Sequence, residues 1–106
     1  MLDALESVLA SHRKRPHFSR EMMQMPEFMD VHRGMVGLTA DGLMEARNAV
    51  LAIQGEEGVD LKQAWADPEG GIVYCLSEAP SADAVQRIHE KVGMPYDEIH
   101  AMSLKV

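Results

Sequence analysis

The sequence predicts an α+β domain in which strands and helices follow in the order β–α–β–β–α–β. Three observations predict it: two amphipathic segments with helix-capping residues at their ends, four shorter strand-like segments, and one turn sequence, DPEGG, between two of those segments. With 106 residues, 46% of them hydrophobic, the chain has the size and composition of a single globular domain.

The first strand and the first helix are predicted from the segment that begins after Pro26. A strand is predicted over residues 27–33. The sequence GLTADGL then indicates a turn and a helix N-cap at Thr39, with Asp41 in the first turn, where the helix dipole favours an acid. The helix is predicted over residues 40–54, and Gly55 suits the position after its last turn. Its apolar stripe comprises Leu43, Ala46, Val50 and Ile53.

A β-hairpin is predicted next. Residues 59–66 alternate and form its first strand, and DPEGG places Pro68 and two glycines in the turn before a second strand over residues 71–78. One side of the first strand is expected to carry Val59, Leu61, Gln63 and Trp65.

The last helix and strand complete the pattern. The helix begins at Ser81 and ends at Gly93, and residues 97–106 alternate as a terminal strand. The buried ridge of this last helix is expected to comprise Ala84, Ile88 and Val92. This order is that of the ferredoxin-like fold, in which two helices cover one face of a four-stranded antiparallel sheet. The other face is left open, and we expect a homodimer to form through it because so short a chain buries a modest core.

Residues 1–24 differ from the predicted domain of residues 25–106. They comprise a short amphipathic helix and a basic linker that is broken by Pro16. A peripheral helix, or an extension upstream of an alternative start at Met25, is favoured over an arm that docks onto a partner protein.

Charge and cysteine content exclude several classes of function. The net charge is −7, and residues 25–106 hold six basic and fourteen acidic side chains, which disfavours nucleic acid and anionic membranes as partners. Cys75 is the single cysteine, so an intrachain disulfide and a thiolate cluster are excluded. No long apolar run or secretion signal is recognisable, and a cytoplasmic location is expected.

The sequence FMDVHRGM places an acid and an imidazole in the first strand. Because side chains alternate along a strand, Asp30 and His32 point to one side, and Met29 and Val31 point to the other. The apolar pair is expected to face the helices. Asp30 and His32 would then lie on the open face, roughly 6.5 to 7 Å apart along the strand, where both could reach one cation.

The predicted metal site is completed from other elements. The proposed ligands are Asp30, His32, His89 and Glu78, while His100 and Cys75 remain candidates. His89 could instead be an ordinary half-buried histidine, and Cys75 a small buried hydrophobic residue. Imidazole and carboxylate ligands suit nickel, zinc, copper or non-haem iron better than calcium.

The sequence also resembles a known family. The runs DVHRG, AWADPE and CLSEAPS, within residues 25–106, resemble the small nickel-binding ferredoxin-like proteins formerly catalogued as a domain of unknown function. The resemblance implies a ferredoxin-like subunit that forms a homodimer, binds nickel through nitrogen and oxygen ligands, and has no established enzyme activity.

Three functions are therefore weighed, and one of them is a plain interaction module whose N-terminal arm, residues 1–24, docks onto a partner. A non-enzymatic nickel-binding homodimer is favoured. The alternative is a small dimeric α+β barrel enzyme of the oxygenase or isomerase type, with His32 as general base and Asp30 holding its tautomer. A closed, partly apolar cavity around His32 would favour the enzyme, whereas an open site beside further ligands would favour metal binding.

Overall fold

The computed structural model describes residues 25–106, so the helix and linker predicted within residues 1–24 lie outside the described part. The described chain has the predicted order of elements. They are β1 (Glu27–His32), α1 (Ala40–Ile53), β2 (Asp60–Asp67), β3 (Ile72–Glu78), α2 (Ala82–Val92) and β4 (Glu98–Ala101).

The four strands form one antiparallel sheet in the order β2-β3-β1-β4. Both helices pack on the same face of this sheet, and the opposite face carries neither helix. The predicted ferredoxin-like α+β fold is therefore confirmed. No helix within residues 25–106 has the length and apolar character needed to cross a membrane.

The helix starts follow the predicted capping. The Thr39 hydroxyl accepts a hydrogen bond from the Gly42 N–H at 3.1 Å, and the Ser81 hydroxyl accepts one from the Ala84 N–H at 3.3 Å. Each bond satisfies a backbone donor that the first turn of a helix leaves free. At the end of α2, Gly93 has φ 70°, a left-handed conformation that glycine adopts without strain.

The chain does not leave the helical conformation at Gly55, the residue that was predicted to follow the last turn of α1. The chain continues past Ile53 into a 3₁₀ turn, Gln54–Glu57, and Gly58 adopts the left-handed conformation with φ 69°. The Gln54 side chain accepts a hydrogen bond from the Leu61 N–H at 2.9 Å. This contact between the turn and β2 is tertiary, so the local sequence did not indicate it.

Strand β2 contains a bulge that the predicted alternation missed. Leu61 lies opposite Ser77, but Gln63 lies opposite the neighbouring Leu76, so β2 carries one extra residue. The bulge puts Leu61 on the helix-covered face while Gln63 and Trp65 lie on the open face. The prediction that these residues share one side was therefore wrong.

Strand β4 ends earlier than predicted. Its pairing with β1 stops where Ala101 lies opposite Phe28, and a single hydrogen bond from the Met102 N–H to the Glu27 carbonyl follows. β1 begins at Glu27, so residues 103–106 have no described strand beside them. Sequence alternation alone could not reveal where the partner strand begins.

The core lies mainly beneath α2. Its buried members are Phe28, Val59, Ala79, Ala84, Val85 and Ile88. In α2, Ala84, Val85 and Ile88 are each 1% exposed. By contrast α1 has no buried residue, although Val50 and Ile53 pack against the edge of this cluster.

Candidate metal centre

Asp30 and His32 face the helices, which corrects the expected orientation of β1. Asp30 lies opposite Cys75 and Ile99 in the two neighbouring strands, and its carboxylate contacts His89 on α2. The polar pair is therefore buried in the helix-covered layer. The alternation in β1 was correct, but it fitted either orientation equally well.

Three polar side chains converge in this layer. The Asp30 Oδ2 atom lies 2.6 Å from the His32 Nε2 atom and 3.1 Å from the His89 Nε2 atom. The two Nε2 atoms are 3.4 Å apart. Asp30 is 1% exposed, His32 8% and His89 6%, so all three side chains are buried.

Both imidazole rings are held by backbone carbonyls. The Nδ1 atom of His32 donates to the Pro95 carbonyl at 2.8 Å, and that of His89 donates to the Val85 carbonyl at 2.7 Å. Because a carbonyl oxygen can only accept, each ring must carry a proton on Nδ1. The two Nε2 atoms are thereby directed toward the same carboxylate oxygen. Metal-binding histidines commonly have this arrangement.

Cys75 adds a fourth donor to the cluster. Single donor atoms of Asp30, His32 and Cys75 all lie within 4.8 Å of one another. Cys75 is a free cysteine on β3, directly across the sheet from Asp30. Asp30, His32 and Cys75 thus place one carboxylate, one imidazole and one thiol close together, and the His89 imidazole contacts Asp30 and His32. Donors of these types suit borderline divalent transition metals.

Burial and hydrogen bonding shift the pKa values of Asp30 and His32 in opposite directions. Burial raises the pKa of Asp30, but hydrogen bonds and charge attraction from His32 and His89 outweigh it and lower the net pKa. Burial lowers the pKa of His32, but its hydrogen bonds to Asp30, Cys75 and the Pro95 carbonyl, together with the charge of Asp30, outweigh this and raise the net pKa to about 10. Burial raises the pKa of the Cys75 thiol. At neutral pH the pair is therefore a carboxylate and an imidazolium.

Two predicted candidates lie outside the cluster. Glu78 ends β3 on the open side of the sheet, and its carboxylate is 3.6 Å from the Lys62 ammonium. His100 is exposed, and its Nε2 atom is 3.0 Å from a Glu98 carboxylate oxygen. The structure brings neither to Asp30. Cys75, left as a secondary candidate, does lie there, because the pairing of β1 with β3 sets it opposite Asp30.

A cavity of about 220 Å³ adjoins the cluster, enclosed by α1, α2 and the sheet. Its apolar lining includes Leu43, Ala46, Val50, Val73, Val85 and Ile88. Asp30, His32, Cys75 and His89 form part of the same wall. His32 thus lines the partly apolar cavity that was expected for an enzyme. It also has the neighbouring ligands that were expected for a metal centre, but it is buried and not open to solvent as that expectation required.

Comparison with known proteins agrees with this fold. The sequence profile described as nickel responsive protein SCO4226-like matches residues 28–102. The crystal structure of SCO4226 from Streptomyces coelicolor A3(2) is 56% identical in sequence, with a TM-score of 0.74. That match covers 76% of this chain and 99% of the SCO4226 chain. No curated protein gives a significant match. The match of profile and structure confirms the resemblance seen in the sequence, and the chain belongs to the nickel responsive SCO4226-like family.

Proposed function

We propose that the protein is a non-enzymatic binder of a divalent transition metal, nickel in the first place, through Asp30, His32 and His89. The observation that carries the proposal is the pair of imidazoles whose Nδ1 atoms are held by backbone carbonyls and whose Nε2 atoms point at one buried carboxylate oxygen. Few structural roles require two histidines to be oriented in this way.

Cys75 is the fourth ligand in this proposal, in place of the Glu78 of the sequence prediction. Metal coordination deprotonates a thiol, so a raised pKa in the metal-free protein is compatible with thiolate ligation. Nickel, zinc and copper all accept this donor set, and affinity alone does not distinguish them. The family description favours nickel. A thiolate ligand also suits the reducing cytoplasm, the location that we propose.

Calorimetric titration of metal-free protein with nickel tests the site. Native protein should bind one nickel ion per chain. His32→Ala and His89→Ala should each weaken binding by more than about 100-fold, because even changes to residues that only orient ligands cost 10- to 100-fold. His100→Ala is the matched control and should bind like the native protein, since His100 is exposed and outside the cluster.

The buried substitutions need a check on folding. His89→Gln preserves more of the side-chain volume, and far-ultraviolet circular dichroism of every variant would show whether it is folded. Equal nickel affinity in the native protein and in the folded variants of His32 and His89 would contradict the assignment.

We further propose a homodimer that forms through the open sheet face. Trp65 is 46% exposed and Tyr74 is 38% exposed, and they lie opposite each other on neighbouring strands of this face. Large exposed aromatic side chains side by side are typical of an interaction surface. Light scattering should give twice the chain mass for native protein, and Trp65→Glu should shift it to the monomer. A monomeric native protein would contradict this proposal.

The enzyme hypothesis is a second candidate, favoured by the apolar cavity beside His32. A general base must be unprotonated at working pH, but the Asp30 contact raises the pKa of His32. Nuclear magnetic resonance titration of the His32 ring in metal-free protein decides this point. A neutral ring at pH 7 would support His32 as general base, and a protonated ring would rule out that role.

A further inference from the structure

The cavity beside the metal centre has room for an organic molecule. Voids larger than a water molecule are few in protein interiors, and this one is about 220 Å³. An apolar cavity of about 150 Å³ accommodates benzene, so simple scaling gives room for roughly nine carbon atoms. The size therefore fits a small ligand better than a packing defect.

The cavity has an inner end and a mouth. Asp30, His32 and His89 are buried and mark its inner end. Arg33 and Arg47 line the same cavity but are exposed, so they mark the side that meets solvent. Between the two ends the wall is mainly apolar and includes three residues of the α1 stripe, Leu43, Ala46 and Val50.

Arg47 differs from the other arginines of the described domain. Arg33 forms an ion pair with Glu98, and Arg87 forms one with Glu57. Within residues 25–106, Arg47 has no carboxylate at salt-bridge distance. In this part of the chain its guanidinium hydrogen-bonds to the Met44 sulfur at 3.8 Å and to the Asn48 side-chain oxygen at 3.4 Å. In a domain with fourteen acidic side chains, a cation without an acidic partner at a cavity mouth suits an anionic group.

The mouth also carries a negative charge. Asp97 lines the cavity, but its carboxylate accepts a hydrogen bond from the Arg33 N–H at 2.6 Å. This contact holds the Asp97 side chain at the end of β1. Among residues 25–106, Arg47 is the arginine of this mouth that has no acidic partner, whereas Arg33 pairs with Glu98.

We propose that this cavity binds a small amphipathic monocarboxylate, with its apolar body against the α1 stripe and its carboxylate on Arg47. The site requires no metal ion. It is therefore separate from the proposed nickel function, although the two share a wall. The ligand class follows from the cavity size, the apolar lining and the unpaired guanidinium.

Metal-free protein, kept with a chelator, is titrated with butanoate, hexanoate and octanoate and with the alcohols of equal length, and amide chemical shifts are followed. Affinity should rise up to about fourfold per added methylene as more apolar surface is buried. Each carboxylate should bind about two- to fivefold more tightly than its alcohol, since an exposed ion pair contributes modestly. Shift changes should concentrate in α1.

Two variants and one control locate the site. Arg47→Gln should remove the preference for carboxylate over alcohol, whereas Arg87→Gln removes an arginine outside the cavity and should keep it. Ala46→Leu fills the cavity and should weaken both ligand series while leaving nickel affinity unchanged.

The proposal is overturned if octanoate causes no shift changes, if octanol binds as tightly as octanoate, or if both arginine variants lose the preference equally. Unchanged octanoate binding in Ala46→Leu would also overturn it. Because these titrations contain no metal, their failure leaves the nickel proposal untouched, and loss of nickel binding leaves this one untouched.

Discussion

The two helices on one sheet face are packed very differently. Ala84, Val85, Ile88 and His89 of α2 are all at most 6% exposed, whereas α1 has no buried residue and a cavity lies under it. The tightly packed half holds the polar cluster, with His89 on a helix that the core fixes in place. The loosely packed half provides space. A metal centre needs rigid ligands, and a ligand cavity needs volume that side chains do not fill.

Small side chains explain why the layer between α1 and the sheet is loosely packed. Ala46 on α1 faces a part of the sheet where the cavity lining includes Ala64, Cys75 and Ser77. Small residues on both sides of an interface leave space that neither can fill. On the α2 side of the cavity the larger Val85 and Ile88 are buried and belong to the core cluster.

The largest expected effect comes from truncating the same kind of side chain in each half. Ile88→Ala should lower the free energy of unfolding by about 2–5 kcal/mol, because Ile88 is 1% exposed and belongs to the buried core cluster. Leu43→Ala should cost less, since Leu43 is half-buried and lies outside that cluster. Chemical denaturation of metal-free protein measures both. Equal losses would show that the two halves are packed alike.

Enlarging an alanine should have opposite effects in the two halves. Ala84→Leu should destabilise the protein by about 1–3 kcal/mol, because Ala84 is 1% exposed and the core around it has no space for a larger side chain. Ala46→Leu should stabilise it by about 0.5–2 kcal/mol by filling the cavity. Denaturation midpoints of the two variants, compared with the native protein, give the signs. Destabilisation by both would contradict the presence of free volume under α1.

A pH dependence is also expected from the half of the domain that α2 covers. The folded-state pKa of His32 is raised, so its stabilising effect is complete below the unfolded value of about 6.5 and is lost as pH rises toward about 10. The pKa of Asp30 is lowered, so its contribution is present above about 3.8 and is lost in more acidic solution.

Thermal melting of metal-free protein between pH 6 and 10 measures this dependence. The melting temperature should fall with rising pH in the native protein and in the control variant His100→Gln. It should fall less in His32→Gln, which lacks the titrating ring. The same slope in all three proteins would show that His32 is not an ion-pair partner of Asp30.

The elements of the fold were predictable because their signals are local. Thr39 and Ser81 cap the helices as expected, and DPEGG forms the hairpin turn. The end of α1, the bulge in β2 and the length of β4 were not predictable, since each depends on a contact with a distant part of the chain.

The candidate site was predictable only as a set of residue types. Alternation put Asp30 and His32 on one side of β1, and His89 was among the proposed ligands. The face that they occupy was predicted incorrectly, because polar residues were assumed to point away from the helices. The structure instead buries the acid and compensates it with two imidazoles, an arrangement that hydropathy cannot signal.

By itself, the sequence determined the order of strands and helices, the helix caps, the acidic character of the domain and the family resemblance, since these depend on composition and on neighbours within a few residues. Only the tertiary structure decided that Asp30 faces His89 and Cys75, that Glu78 does not join them, and that α1 stands over a cavity. The physical reason is that such contacts join residues far apart in the chain, and strand register and helix packing alone bring them together.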